Sequence, residues 1–175
     1  MSDLLTERLV LHPLTVSESE QVLAGERGDG TRWAPDYPTQ GDVFAAKRFL
    51  GTCANAGDPQ PFGNYEIRLR TDGRAIGGIG FHGVPDENGS VSIGYGLSPS
   101  VRGAGYASEA LRGLLRFARE RGVTCVKGDT DQDNLASQHV MLAAGMRQTD
   151  EDERLKYYET TWTEEGTAPG TEPRG

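Results

Sequence analysis

The chain has 175 residues, long enough for one domain with a substantial core, and its 35% hydrophobic and 25% charged content is that of a water-soluble globular protein. Its formal net charge of -8 argues against broad binding to nucleic acid or to an anionic membrane surface. No apolar run reaches the roughly 18–20 residues of a membrane span, and Met1–Arg8 lacks the basic start and apolar stretch of an export signal, so no nucleic-acid partner, no membrane partner and a cytoplasmic location are expected.

Arg8–Leu14 reads as a first strand, stopped near Pro13. Thr15-Val16-Ser17-Glu18 resembles a capping box and opens a helix to about Ala24. Gly28–Gly41 reads as irregular and carries Trp33, Pro35, Asp36, Tyr37 and Pro38. Asp42 is expected to cap a second helix with Val43, Ala46, Leu50 and Cys53 on one face. Phe62–Leu69 and Ala75–Phe81 read as strands joined by a turn at Thr71–Arg74, and a turn at Pro85–Gly89 leads into a strand over Ser90–Leu97. Ala107, Leu111, Leu114, Leu115 and Ala118 recur at helical spacing and predict a helix ending at Gly122. A short buried strand, Val123–Lys127, follows. Asn134 is placed to cap a helix that Gly145 stops in the left-handed conformation, and Arg154–Thr161 reads as the last strand. Residues 164–175, rich in Gly, Pro, Thr and Glu, are expected to form a disordered tail beyond a single domain over 1–163. Cys53 and Cys125 stand far apart without histidine neighbours, so thiols are expected rather than a disulfide or a metal site. Meandering strands followed by strand–helix units predict a mixed α/β sheet.

Two glycine-rich stretches compete for a phosphate-binding role. Gly78-Ile79-Gly80-Phe81-His82-Gly83 satisfies the G-x-G-x-x-G pattern, but a dinucleotide fingerprint must open a helix, and here a turn and another strand follow. Close packing between strands is its plainer role. Arg102-Gly103-Ala104-Gly105-Tyr106-Ala107 has the required context of strand, glycine loop and helix. The first amides of a helix lack partners and carry partial positive charge, which suits a phosphate. The segment lacks the Gly-Lys-Ser/Thr ending of a triphosphate loop, and an ordinary tight connection is the competing reading.

Arg102–Ala107 also resembles the acetyl-coenzyme A pyrophosphate loop of the GNAT N-acetyltransferases, Q/R-x-x-G-x-G/A, with Arg102, Gly105 and Ala107 at the fixed positions. Asn134-Leu135-Ala136-Ser137 and then Ala144-Gly145-Met146 resemble the family's N-x-x-S and G-F/M segments. Thr6-Glu7-Arg8-Leu9-Val10-Leu11-His12-Pro13-Leu14 is similar to the T-E-R-L-x-L-R-P-L opening of the branch that acetylates ribosomal-protein N-termini, and Ile93-Gly94-Tyr95 fits the same branch. The resemblance implies a single-domain α/β (α+β) GNAT fold, a mixed sheet of about six to seven strands flanked by about four helices.

It further implies transfer of acetyl from acetyl-coenzyme A to a primary amine, a protein N-terminus or a small molecule, by direct attack in a ternary complex. Dimers are common among similar proteins, so a homodimer is among the expected arrangements. The pyrophosphate would rest on Arg102, Gly103, Ala104, Gly105, Tyr106 and Ala107, and the pantetheine would pair with the preceding backbone, including Leu97, Ser98 and Val101. Pro99 and the glycines suggest a bulge or splay there, and the Leu97 amide is a candidate to polarise the thioester carbonyl. Ser137 is the candidate proton donor to the leaving thiolate, and Asn134 binds pantetheine, caps its helix, or does both. The base is open between His82, at a strand end, and Glu66, on a central strand; Ser92 stands where relatives often carry an acid. Packed or solvated side chains are the plainer reading of both. Trp33, Asp36 and Tyr37 are the candidate acceptor wall. The other classes left open are a non-catalytic acyl-coenzyme A binding or sensing protein and, through Gly78–Gly83, a nucleotide enzyme.

Overall fold

The computed structural model describes residues 2–162, so the expected C-terminal tail lies outside the described residues. An N-terminal pair of strands, β1 (Leu4–Leu5) and β2 (Leu9–Pro13), leads into α1 (Val16–Ala24) and α2 (Gln40–Ala56). A meander follows: β3 (Asn64–Leu69), β4 (Ala75–Phe81) and β5 (Ser90–Leu97). A short 3-10 turn, Pro99–Val101, joins β5 to α3 (Tyr106–Glu120); β6 (Cys125–Asp131), α4 (Leu135–Ala143), β7 (Arg147–Glu151) and β8 (Leu155–Thr161) complete the chain. The result is an 8-stranded mixed sheet in the order β1-β2-β3-β4-β5-β6-β8-β7, slightly larger than expected.

Local chemistry fixes the helix starts. Thr15 and Glu18 form the anticipated capping box. At α2 the cap is Thr39, and Asp42 sits a turn inside the helix as the reciprocal partner of the box; the expectation that Asp42 itself caps this helix is corrected. Ala46 and Phe49 are its buried residues, with Val43, Leu50 and Cys53 only half-buried.

Strand pairing assigns the faces. Leu9 and Leu11 of β2 and Tyr65 and Ile67 of β3 turn toward α3, which buries Leu111 and Leu114 completely. Full burial of each such leucine is worth about 1.5–3 kcal/mol. Phe62, Tyr65, Phe81 and Phe117 meet edge-on or tilted in the same layer. The opposite face, covered by α1 and α2, carries His12, Glu66, Gly78, Gly80, Gly94 and Gly96.

Between β5 and β6 the sheet changes character. They are parallel, and their pairing ends at Ser92↔Lys127 although both strands run on. The β4–β5 ladder stays in register through Gly77↔Leu97. The opening expected near Pro99 is therefore a splay made by β6 turning away, with no bulge in β5.

Candidate active site

The Ser98 amide donates to the Ile76 carbonyl and the His82 amide to the Ser92 carbonyl. That parity sends the amides and carbonyls of Tyr95 and Leu97 to the other edge of β5, into the splay, where no strand among the described residues pairs with them and only the Leu97 carbonyl is taken, by the Arg102 side chain. A linear ligand carrying amides can add to such an edge as a strand would.

At the end of this edge the chain turns into α3. Gly103 and Gly105 hold φ of 91° and 84°, a left-handed conformation that side chains resist. Among the described residues, the amides from Gly103 to Ser108 make no hydrogen bond; the first helical bond is Glu109 N–H to the Gly105 carbonyl at 3.1 Å. Among the described residues no side chain caps this helix. The loop is thus an open cradle of donors at the positive end of a 15-residue helix.

Arg102 turns away from the cradle. Its Nε and Nη2 donate to the Leu97 carbonyl at 3.2 and 3.1 Å. The cation beside the cradle is Arg8, which donates to the Ala104 carbonyl at 2.9 Å and lies 4.5 Å above the Tyr106 ring. Ser98 is fully buried beneath the turn, its hydroxyl without a protein partner among the described residues, and Val101 packs half-buried on the core.

Across the splay, α4 begins with Asn134, whose side chain accepts from the Ser137 amide at 3.0 Å. The Ser137 hydroxyl lies 2.8 Å from the Tyr95 hydroxyl. Burial pushes the Tyr95 phenol up to about 12 against the pull of Ser137, so this hydroxyl keeps its proton at neutral pH. The sequence offers Ser137 as a candidate, and Tyr95 only as part of Ile93-Gly94-Tyr95 and as the start of the backbone expected to pair with pantetheine; the contact between the two hydroxyls has no signal in it.

On the other face, a cavity of about 270 Å³ lies between α2 and the sheet. Gly78, Gly80, Gly94 and Gly96 form its floor, and Asp42, Phe44 and Arg48 hang over it. The decoy glycines of β4 thus act as a floor. Tyr37 lines the cavity, with its hydroxyl donating to Glu66 at 2.8 Å. Glu66 is buried, and its second oxygen accepts from Arg68 Nε at 2.8 Å; both oxygens are engaged. His82 stands at the exposed end of β4, over Gly94. Partial burial, then the neighbouring Arg48 charge, hold its imidazole below the ordinary 6.5.

The remaining acceptor candidates lie elsewhere. Trp33 pairs with Ala75 and packs edge-on against Tyr37, ring centroids 5.4 Å apart. Asp36 accepts from the Ser100 amide at 2.8 Å and from its hydroxyl at 2.7 Å, tying the Trp33–Tyr37 loop to the turn before the cradle. These bonds from Ser100 hold the Asp36 carboxyl below its ordinary value. Among the described residues no cluster of histidine, cysteine and acidic side chains could hold a metal, and no helix is long and apolar enough to cross a membrane.

A family model described as an acetyltransferase (GNAT) domain matches residues 8–147. An uncharacterized N-acetyltransferase of Bacillus subtilis, YjdG, is 39% identical over 83 residues. That match takes in 47% of this chain and only 45% of the relative, less than half its length. The fold is similar to that of a GNAT-family acetyltransferase from Bacillus anthracis, with a TM-score of 0.65 and 22% identity over 91% of this chain and 98% of the other. It is equally similar to RimL, a ribosomal-protein alpha-N-acetyltransferase in complex with coenzyme A, with a TM-score of 0.66 and 17% identity over 91% and 98% of the two chains.

Proposed function

The chain belongs to the GNAT acetyltransferase family, and from that premise we propose that it moves an acetyl group from acetyl-coenzyme A to a primary amine. The observation that carries this reading is the open amide cradle at Gly103–Ser108, set at the end of an unpaired strand edge. The residues fit the donor: free amides and Arg8 for the pyrophosphate, and the Tyr95–Leu97 edge for the amides of pantetheine.

Bound along that edge, the donor would bring its thioester to the middle of the sheet. The Leu97 amide is aimed to stabilise negative charge on the thioester oxygen. Tyr95 and Ser137 form the hydroxyl pair that donates to the departing sulfur. The acceptor enters from the opposite face through the cavity under α2, whose floor reaches the β5 backbone at Gly94 and Gly96. Glycines there let the amine approach the backbone closely. The motif Thr6–Leu14 and the fold shared with a ribosomal-protein alpha-N-acetyltransferase support a peptide N-terminus as one acceptor class, and a small amine fits the same cavity. Free thiols at Cys53 and Cys125 suit a reducing, cytoplasmic setting.

The test is thiol release from acetyl-coenzyme A with alanyl- and seryl-terminated peptides and a panel of small amines. Amine-dependent release with an N-acetylated product in the mass spectrum supports the reading. Tight binding of acetyl-coenzyme A without release above buffer for any amine would overturn it in favour of a sensing protein.

A further inference from the structure

One carboxylate in the acceptor cavity has no structural duty on one of its oxygens. Asp42 accepts through Oδ2 from the Thr39 amide and hydroxyl, each at 2.9 Å. Its Oδ1 makes no hydrogen bond among the described residues and overhangs the floor, 2.9 Å from where a side chain on Gly78 would begin. Gly78 pairs with Glu66 on one side and Gly96 on the other, so this oxygen faces the cavity beside the β5 backbone. Glu66, one of the two bases that the sequence leaves open, already holds Tyr37 and Arg68, and Ser92 leaves β5 without an acid.

We propose that Asp42 is the residue that receives the ammonium form of the acceptor and removes its proton. The assignment rests on the acetyl-transfer reading above. Oδ1 takes one proton from R–NH3+ and leaves the neutral amine. The C–N bond then forms as the C–S bond breaks, and the second amine proton passes to sulfur through the Tyr95 and Ser137 hydroxyls, so amide and thiol leave. Asp42 returns its proton to water.

The surroundings suit the role. Burial pushes the Asp42 carboxyl above its ordinary 3.8; the Thr39 bonds pull the other way and nearby Glu66 adds to the rise. Glu66 of β3 is the charge that acts on it, and Tyr37 of the entering loop lies near it beside Glu66 and Arg68. Arg48 of α2 lines the same cavity with His82 of the β4 end next to that arginine, and Tyr95 of β5 lines the cavity while its hydroxyl is held by Ser137. From α1, Val22 lines the cavity, while Glu18 is paired with His12 and lies 4.0 Å from Arg68. A carboxylate against one apolar wall and one acidic neighbour is a better proton acceptor than one in water.

The experiment is the pH profile of kcat/KM for an alanyl-terminated peptide and for phenethylamine, with acetyl-coenzyme A affinity measured separately. Asp42→Asn keeps an acceptor for the Thr39 bonds, and Thr39→Ala removes the cap while leaving the carboxylate. Expected for Asp42→Asn is a loss of about 100-fold or more at neutral pH, disappearance of the acidic limb, partial recovery at alkaline pH where the amine is already neutral, and unchanged affinity for acetyl-coenzyme A. Asp42→Glu should restore part of the rate. Thr39→Ala should melt earlier yet keep the acidic limb. A folded Asp42→Asn enzyme with the wild-type limb and a rate within about threefold would overturn the assignment alone. A wild-type chain that releases no thiol with any amine would overturn the transfer reading and this assignment with it.

Discussion

Arg8 grips both oxygens of Glu109: its Nε donates to Oε1 and its backbone amide to Oε2, each at 2.7 Å. Thr6 adds a hydroxyl to the second oxygen, and the same guanidinium reaches the Ala104 carbonyl. The segment before β2 is thereby bolted to the first turn of α3 and to the cradle. Conserving the cradle's shape is thus partly the task of residues about a hundred positions away in the chain.

Glu109→Ala should lower stability by about 2 kcal/mol and weaken acetyl-coenzyme A binding several-fold, checked by denaturant melts and calorimetry. The figure is that of a charge-assisted hydrogen-bond cluster, reduced because Arg8 is partly exposed. Burial raises the Glu109 carboxyl, but the bonds from Thr6 and Arg8 outweigh it and hold it below its ordinary 4.5. A carboxyl depressed by folding stabilises above its unfolded value and loses that contribution as pH falls through its folded value. The wild-type advantage over Glu109→Gln should therefore be full above about pH 4.5 and shrink below it.

The Tyr95 and Ser137 hydroxyls lie 2.8 Å apart, and the proposed transfer has them share the delivery of a proton to the departing sulfur. Tyr95→Phe should reduce kcat at least about tenfold while leaving the affinity for acetyl-coenzyme A unchanged. Ser137→Ala, with the phenol still present, should cost less. Stopped-flow thiol release beside equilibrium titration separates the two parameters.

Asp36 holds the turn at Ser100. Asp36→Asn should leave the acceptor KM within about twofold and raise the Kd for acetyl-coenzyme A a few-fold, because the turn sets the approach to the cradle. An acceptor KM that rose instead would return Asp36 to the amine.

Gly96 lines the cavity, and an added Cβ there meets nothing within 4 Å. Gly96→Val should keep the melting temperature near wild type and raise the acceptor KM about tenfold by filling the floor. Gly80→Val should instead unfold the enzyme early, since its Cβ would lie 2.7 Å from the Gly63 carbonyl. Thermal melts with acceptor titrations distinguish the two positions.

Much of this arrangement is legible in the sequence because local chemistry writes it. The capping box at Thr15 and Glu18, the left-handed stop at Gly145 and the limits of β4 and β5 follow from neighbouring residues alone. β7 was missed because Arg147–Glu151 is exposed throughout and forms only by pairing with β8. β6 runs beyond the expected Lys127 because Asp129 and Asp131 are polar only on its exposed face. At the site, the cradle was readable as a motif. The roles of side chains within it were not, because they depend on contacts far along the chain. Arg102 turns to Leu97 while Arg8 arrives from the segment before β2, and Asp42, expected as a cap, carries its second oxygen into a cavity that only the folded α2 creates.

In the proposed function the cradle at the start of α3 holds acetyl-coenzyme A. Calorimetric titration of the wild-type chain and of Ala107→Glu tests it most directly. Glutamate in the first helical turn suits the positive end of the helix; because Ala107 packs half-buried against the core, circular dichroism must show the variant folded, and its added negative charge then lies beside the amides that the pyrophosphate would use. Saturable binding by the wild type, with at least about a tenfold weaker Kd in the folded variant, is the result expected. Equal affinity in both, or no binding to the wild type, would contradict it.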